Sequence, residues 1–132
     1  MAKLTSAQAN ALANDFLGLA QAIGNFRYDN WNEMSKTQNQ QLGKMQWSIL
    51  NYGEDILALS TALAMDDVQA SLNKINDTTL EIRSTIQQLK NIQKVISVAG
   101  AIIAFGGAVI SKDPSAIKTG LQGVIDSWKD KS

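Results

Sequence analysis

The amino-acid sequence predicts an all-α protein, an elongated four-helix bundle built on a long antiparallel coiled-coil-like hairpin. Two observations carry that prediction. Apolar residues recur at alternating spacings of four and three through most of the 132 residues, the signature of one stripe on a helix. No strand-type alternation interrupts them, and no repeat of about 20–50 residues or Pro-rich linker divides the chain. A single domain over residues 1–132 is therefore expected.

The first helix is expected over about 6–27. Thr5, Ala9, Leu12, Phe16, Leu19, Ile23 and Phe26 share one stripe. Thr5 and Gln8 have the spacing of a capping box, which starts the helix near Ser6. Gly24-Asn25 and Asp29-Asn30 are stop signals. The stripe slips by about one position across this join, so a bent continuous helix fits as well.

The second helix is expected over about 30–63. Its seam is Trp31, Ser35, Gln38, Leu42, Met45, Ile49, Tyr52, Ile56, Leu59 and Leu63. From Leu42 onward every seam position is large and apolar, which is coiled-coil-like. The Gln-rich stretch from Gln38 to Gln41 forms its polar beginning. Gly43 and Gly53 weaken this helix by about 1 kcal/mol each relative to Ala.

Past Leu63 the phase is lost, because the same count would bury Asp66, Ala70, Asn73 and Asp77. The stripe restarts at Met65 and continues through Val68, Leu72, Ile75, Thr79, Ile82, Ile86, Leu89, Gln93 and Ile96. Asp66 with Gln69 has capping spacing, and Met65 suits the preceding staple position. Residues 64–67 are thus expected to be a tight turn between two antiparallel arms, each about 50 Å long. The third helix would cover 67–111. Asp113 and Pro114 then suit the N-cap and first position of a fourth helix over about 114–129, with Ile117, Leu121, Val124 and Trp128 on its apolar face. Lysines at its end favour the helix dipole.

Residues 95–111 carry no charge and are apolar all round. A helix of that kind is buried on every side, in protein or in lipid. Val95, Ile96, Val98, Gly100, Ile102, Ile103, Phe105, Gly106, Gly107, Val109 and Ile110 are its candidate buried or membrane-contacting positions. Seventeen residues lie at the lower end of a membrane span. Gly100, Ala104 and Ala108 place small residues four apart, which permits close helix packing. Gly106-Gly107 could alternatively break the segment into a short hairpin.

The composition narrows the chemistry. Twelve acidic and twelve basic residues cancel, and there is no Cys and no His. A disulfide framework, a Cys zinc site, a thiol nucleophile and a histidine base are excluded. Zero net charge argues against nucleic acid as a partner. No Gly-x-Ser-x-Gly elbow, P-loop or dinucleotide fingerprint occurs. The acidic pairs Glu54-Asp55 and Asp66-Asp67 point about 100° apart on a helix and make no metal cage unaided. No enzymatic activity, catalytic residue, metal or cofactor is expected.

Tyr28, Trp31 and Trp47 are the candidate interface residues. Tyr28 and Trp31 cluster with Phe26 around Arg27, an arrangement that suits base stacking, a membrane-interface belt or the packed corner between the first two helices. Trp47 falls off the main seam and faces either the first helix or a partner. The polar seam positions Gln38, Thr79 and Gln93 set register or oligomer state, or sit near solvent. Asn10, Asn14 and Asp15 interrupt any apolar signal region, so a cytoplasmic location or export without a cleaved Sec signal is expected.

The Leu42–Leu63 and Val68–Ile96 seams, followed by the charge-free segment Val95–Ser111, resemble the α-helical pore-forming toxins of the cytolysin A and haemolysin BL type. The resemblance implies a toxin-related or accessory component. The expected function is a non-enzymatic helical interaction protein with conditional membrane contact through 95–111. The alternative is a wholly soluble helical assembly or adaptor protein in which 95–111 is only core. A homo-oligomer or a partner helical protein is expected in either case, with a membrane as a further contact in the first.

Overall fold

Helices dominate the computed structural model, which describes residues 2–59, 62–65, 67–89 and 91–129. They are α1 (Ser6–Asp29), α2 (Lys36–Leu59), α3 (Val68–Thr85), α4 (Ile92–Ser111) and α5 (Pro114–Lys129). The chain is all-α, apart from a two-residue ladder between β1 (Ala2–Lys3) and β2 (Ala64–Met65).

Thr5 starts α1 with a reciprocal capping box. The Gln8 N–H donates to Thr5 Oγ1 at 3.1 Å, and the Thr5 N–H donates to Gln8 Oε1 at 2.9 Å. The helix runs past Gly24 to Asp29, where Asn30 closes it by donating both its N–H and its Nδ2–H to Phe26 O at 3.0 Å. A 3₁₀ turn over Trp31–Glu33 and an extended Met34 follow. The second helix starts at Lys36 and not near residue 30, because a second capping box lies at Ser35 and Gln38. The Ser35 N–H donates to Gln38 Oε1 at 3.0 Å, and the Gln38 N–H donates to Ser35 Oγ at 3.1 Å. The two polar residues at the start of the seam are therefore cap residues.

The expected α2–α3 hairpin is not how these helices pack. α2 packs on α1 and on α4, whereas α3 packs on α1 and barely touches α2. The reason lies in the connection. In place of a tight turn at 64–67, β2 pairs antiparallel with β1, with Ala2 opposite Met65 and Lys3 opposite Ala64. The Leu4 N–H donates to Leu63 O at 2.9 Å, and Leu4, Leu63 and Met65 are all buried. Residues 2–4 thus pair with the segment between α2 and α3, and α3 docks on α1. Asp66 and its expected capping role lie outside the described residues.

The expected continuous helix over 67–111 is two helices. Ser84 Oγ and Thr85 Oγ1 both donate to Glu81 O, at 3.1 and 2.7 Å, a competition with the backbone ladder that weakens a helix end. The chain then passes through a 3₁₀ turn at Ile86–Gln88 and an extended Leu89. Asn91 starts α4, its Oδ1 accepting the Lys94 N–H at 3.2 Å. The apolar stripe crosses this break almost in phase, which is why period alone passes over it. Five described helices replace the four expected. Lys112 ends α4 in the left-handed region at φ 62°, and Asp113 caps α5 by accepting the Ser115 N–H at 3.1 Å.

The core gathers where α1, α2, α4 and α5 meet. Phe16 of α1 stacks on Phe105 of α4, with ring centroids 5.7 Å apart. Leu12, Ile23, Phe26, Leu42, Ile49, Ile56, Val98 and Ile102 belong to the same buried core. α3 adds Leu72, Ile75, Thr79 and Ile82 against α1.

Candidate interaction surface at the α1–α2 corner

Among the described residues the exposed large hydrophobics are Tyr28, Trp31, Trp47, Leu57 and Leu80. The three aromatic ones are the three candidate interface residues. Tyr28 is 83% exposed, Trp31 56% and Trp47 64%. The corner packing expected of the aromatic cluster applies to Phe26 alone, which is fully buried. Tyr28 lies in the last turn of α1 and Trp31 opens the 3₁₀ turn that follows it.

Arg27 organises this corner. Its Nε–H donates to Asn39 Oδ1 at 3.0 Å, and its Nη1–H donates to Gln46 Oε1 at 3.3 Å. Both acceptors are on α2, one helical turn either side of Gly43. The guanidinium lies so close over Gly43 that a Cβ there would meet it at 3.1 Å. Gly24 of α1 has the converse role, since a Cβ there would stand 2.5 Å from the Gln46 amide nitrogen. Two glycines thus let a cation and an amide cross between the helices. The Trp31 ring stacks over the guanidinium at 5.5 Å, within cation–π range. Trp47 is one helical turn from Gly43 on α2.

An open depression of about 540 Å³ is lined by Arg27, Trp31, Asn32, Met34, Lys36, Asn39 and Gln40. A second, of about 320 Å³, lies on the other side of Arg27 and Trp31, beside Tyr28, Gly24 and Gln46. No carboxylate is among the described partners of Arg27.

No family model, curated protein or solved structure matches this chain.

The charge-free segment forms the greater part of α4. Val95, Ile96, Val98, Ile102, Phe105, Gly106 and Val109 are buried, and Gly100, Ile103, Gly107 and Ile110 are half-buried. The helix passes unbroken through Gly106-Gly107. Gly106 is a contact point, because a Cβ there would come within 2.6 Å of the Tyr52 ring of α2. Gly120 of α5 has a similar use, since a Cβ would lie 3.0 Å from the Phe105 backbone. The exposed positions on α4 are Gln93, Ser97, Ala104 and Ser111, none of them large and apolar. Of the polar seam positions, Gln38 is a cap residue, Thr79 is buried and Gln93 is exposed.

Two half-buried charged side chains hold places in the fold that the sequence reading did not assign them. Arg27 is one; its signal is the pair of glycines, Gly24 and Gly43, that clear its path. Asp15 is the other. It borders a narrow apolar crevice among α1, α3, α4 and α5 with Phe16, Leu19, Thr79, Ile102 and Phe105. Burial pushes its carboxyl up to about 6, against the opposing pull of Arg83.

Proposed function

We propose that this protein is a non-enzymatic helical interaction protein whose docking face is the α1–α2 corner. The observation that carries this reading is the exposure of Tyr28 and Trp31 beside a fixed arginine, with Trp47 exposed on the helix that fixes it. Trp, Tyr and Arg are the residue types that dominate binding energy at protein interfaces. Large apolar side chains of α4, by contrast, are buried or half-buried. The partner is a second copy of the chain or another helical protein.

The test is site-specific photocrosslinking in cells that make the protein. A benzophenone side chain in place of Tyr28 is expected to capture a discrete partner, identified by mass. The same label in place of Gln69, exposed on α3, serves as the control. Trp31→Ala should reduce the Tyr28 adduct at least tenfold, or about 1.4 kcal/mol. Equal labelling from both positions, or no adduct, overturns the docking face.

A second reading is conditional membrane contact through 95–111, as a toxin-related or accessory component. It draws on α4 being 20 residues long and apolar enough to cross a membrane by length and composition, with 44% of its apolar window buried. Retention on anionic vesicles, abolished by Ile103→Lys in a protein that stays folded, would support it. Free protein in the supernatant, with unchanged solution mass in detergent, would end it.

A further inference from the structure

The depression beside Arg27 has a chemistry of its own. The guanidinium has five N–H donors, and contacts to Asn39 and Gln46 engage two of them. Those two acceptors are neutral amides, so they fix the fork without cancelling its charge. Lys36 adds a second cation on the rim, at the first position of α2, where the helix dipole is also positive. The lining contains no carboxylate, while Asn32 and Gln40 offer further amide donors. One wall is the Trp31 ring and another side is the buried Met34. At about 540 Å³ the depression has room for a long side chain and its stem.

We infer that this depression takes an acidic side chain of the docked partner, its carboxylate on the Arg27 guanidinium and its aliphatic stem against Trp31. The inference rests on the corner being the docking face and names the chemistry of what docks there. A planar fork held at two points is suited to a carboxylate gripped by two parallel hydrogen bonds. A protein side chain fits better than an anionic membrane surface. The amide lining is directional and lies in a depression, which suits one oriented carboxylate better than a flat sheet of headgroups.

The experiment uses the full chain, ¹⁵N-labelled, and a short synthetic peptide of alternating glutamate and leucine. A peptide with glutamine in place of glutamate is the control. Addition of the glutamate peptide should shift the Arg27 Nε–H and the Trp31 indole N–H saturably, with at least tenfold weaker binding of the glutamine peptide. Raising salt from about 50 to about 500 mM should weaken binding. Arg27→Gln should abolish it. Because Arg27 also ties α1 to α2, the deciding variant is Lys36→Gln, an exposed change that leaves the helices intact and should weaken binding at least threefold.

Equal binding of the two peptides, no saturable shift, or indifference to Lys36→Gln overturns the inference. So do the same shifts produced by phosphatidylglycerol vesicles but not by peptide, which assign the site to lipid. Shifts that grow with protein concentration in the absence of peptide, and that the glutamate peptide fails to compete away, overturn it, because a surface other than an acidic side chain then fills the depression. If the peptide fails while the Tyr28 photo-adduct persists, the inference falls alone. If the adduct is absent, the docking face falls with it.

Discussion

Asp15 shows how much one side chain's surroundings decide. Arg83 crosses from α3 onto α1 so closely that a Cβ at Gly18 would meet its guanidinium at 2.9 Å. Its charge lowers the Asp15 pKa, yet burial against the crevice wins and holds the carboxyl at about 6, up from 3.8. The folded state therefore keeps a proton that the unfolded chain loses two pH steps earlier. Stability from this group is complete below about pH 3.8 and is lost as pH rises through about 6. Urea denaturation between those limits should give a contribution that falls with pH, and Asp15→Asn should remove it. An unchanged pH profile in Asp15→Asn would show that other groups set the slope. Lys112 is a second local case. Its φ of 62° is a conformation that favours glycine, and its side chain is exposed. Lys112→Gly is expected to raise stability by about 0.5–1 kcal/mol in the same measurement. At this scale the sequence is legible where a motif has one meaning. Thr5 with Gln8 is a cap at the first position of its stripe, so cap and stripe agree on where α1 begins. Ser35 with Gln38 has the same spacing but also falls on the apolar seam, and there the seam conceals the cap.

Helix faces are more legible than helix partners. The stripe on α2 from Leu42 to Leu59 alternates fully buried and half-buried residues, as a packed seam does. Periodicity states which side of a helix leaves water, and it is silent about what covers that side. The α2 seam is divided between α1 and α4, not given to α3. The glycines hold the missing information, because each marks where another element comes close. Gly53 receives Leu17 of α1, and a Cβ there would meet its Cδ2 at 2.7 Å. Gly106 receives the Tyr52 ring. Gly106→Ala should therefore cost about 1–3 kcal/mol by overpacking, although alanine is the better helix former. Combining it with Tyr52→Ala should recover part of that loss in a double-mutant cycle read by thermal or urea unfolding. A stabilising Gly106→Ala would mean that the α2–α4 contact is looser than the structure has it. The join between α3 and α4 was hidden for a related reason. Asn91 is an ordinary cap residue, but the stripe resumes so nearly in phase at Ile96 that period favours one long helix.

Over the whole molecule, the charge-free segment decides how a chain with zero net charge holds together. Its fourteen non-glycine residues include no ionisable group, so it costs little to bury on every side. α4 meets α1 through Phe105, α2 through Gly106 and α5 through Gly120, contacts drawn from three different parts of the chain. Its uncovered strip is Gln93, Ser97, Ala104 and Ser111. A helix with this placement should be the last to open, because separating it breaks the contacts of all three neighbours. Backbone amides from Val98 to Val109 are thus expected to exchange most slowly in the molecule. α3, which rests chiefly on α1, should exchange sooner. Two substitutions test the orientation independently of exchange. Ile102→Lys places an unpaired charge at a fully buried position and should unfold the chain. Ala104→Lys, two residues on but on the uncovered strip, should leave the melting temperature nearly unchanged. If both variants fold equally well, or if vesicles release the slow amides of α4, then lipid and not protein is the natural cover of this helix.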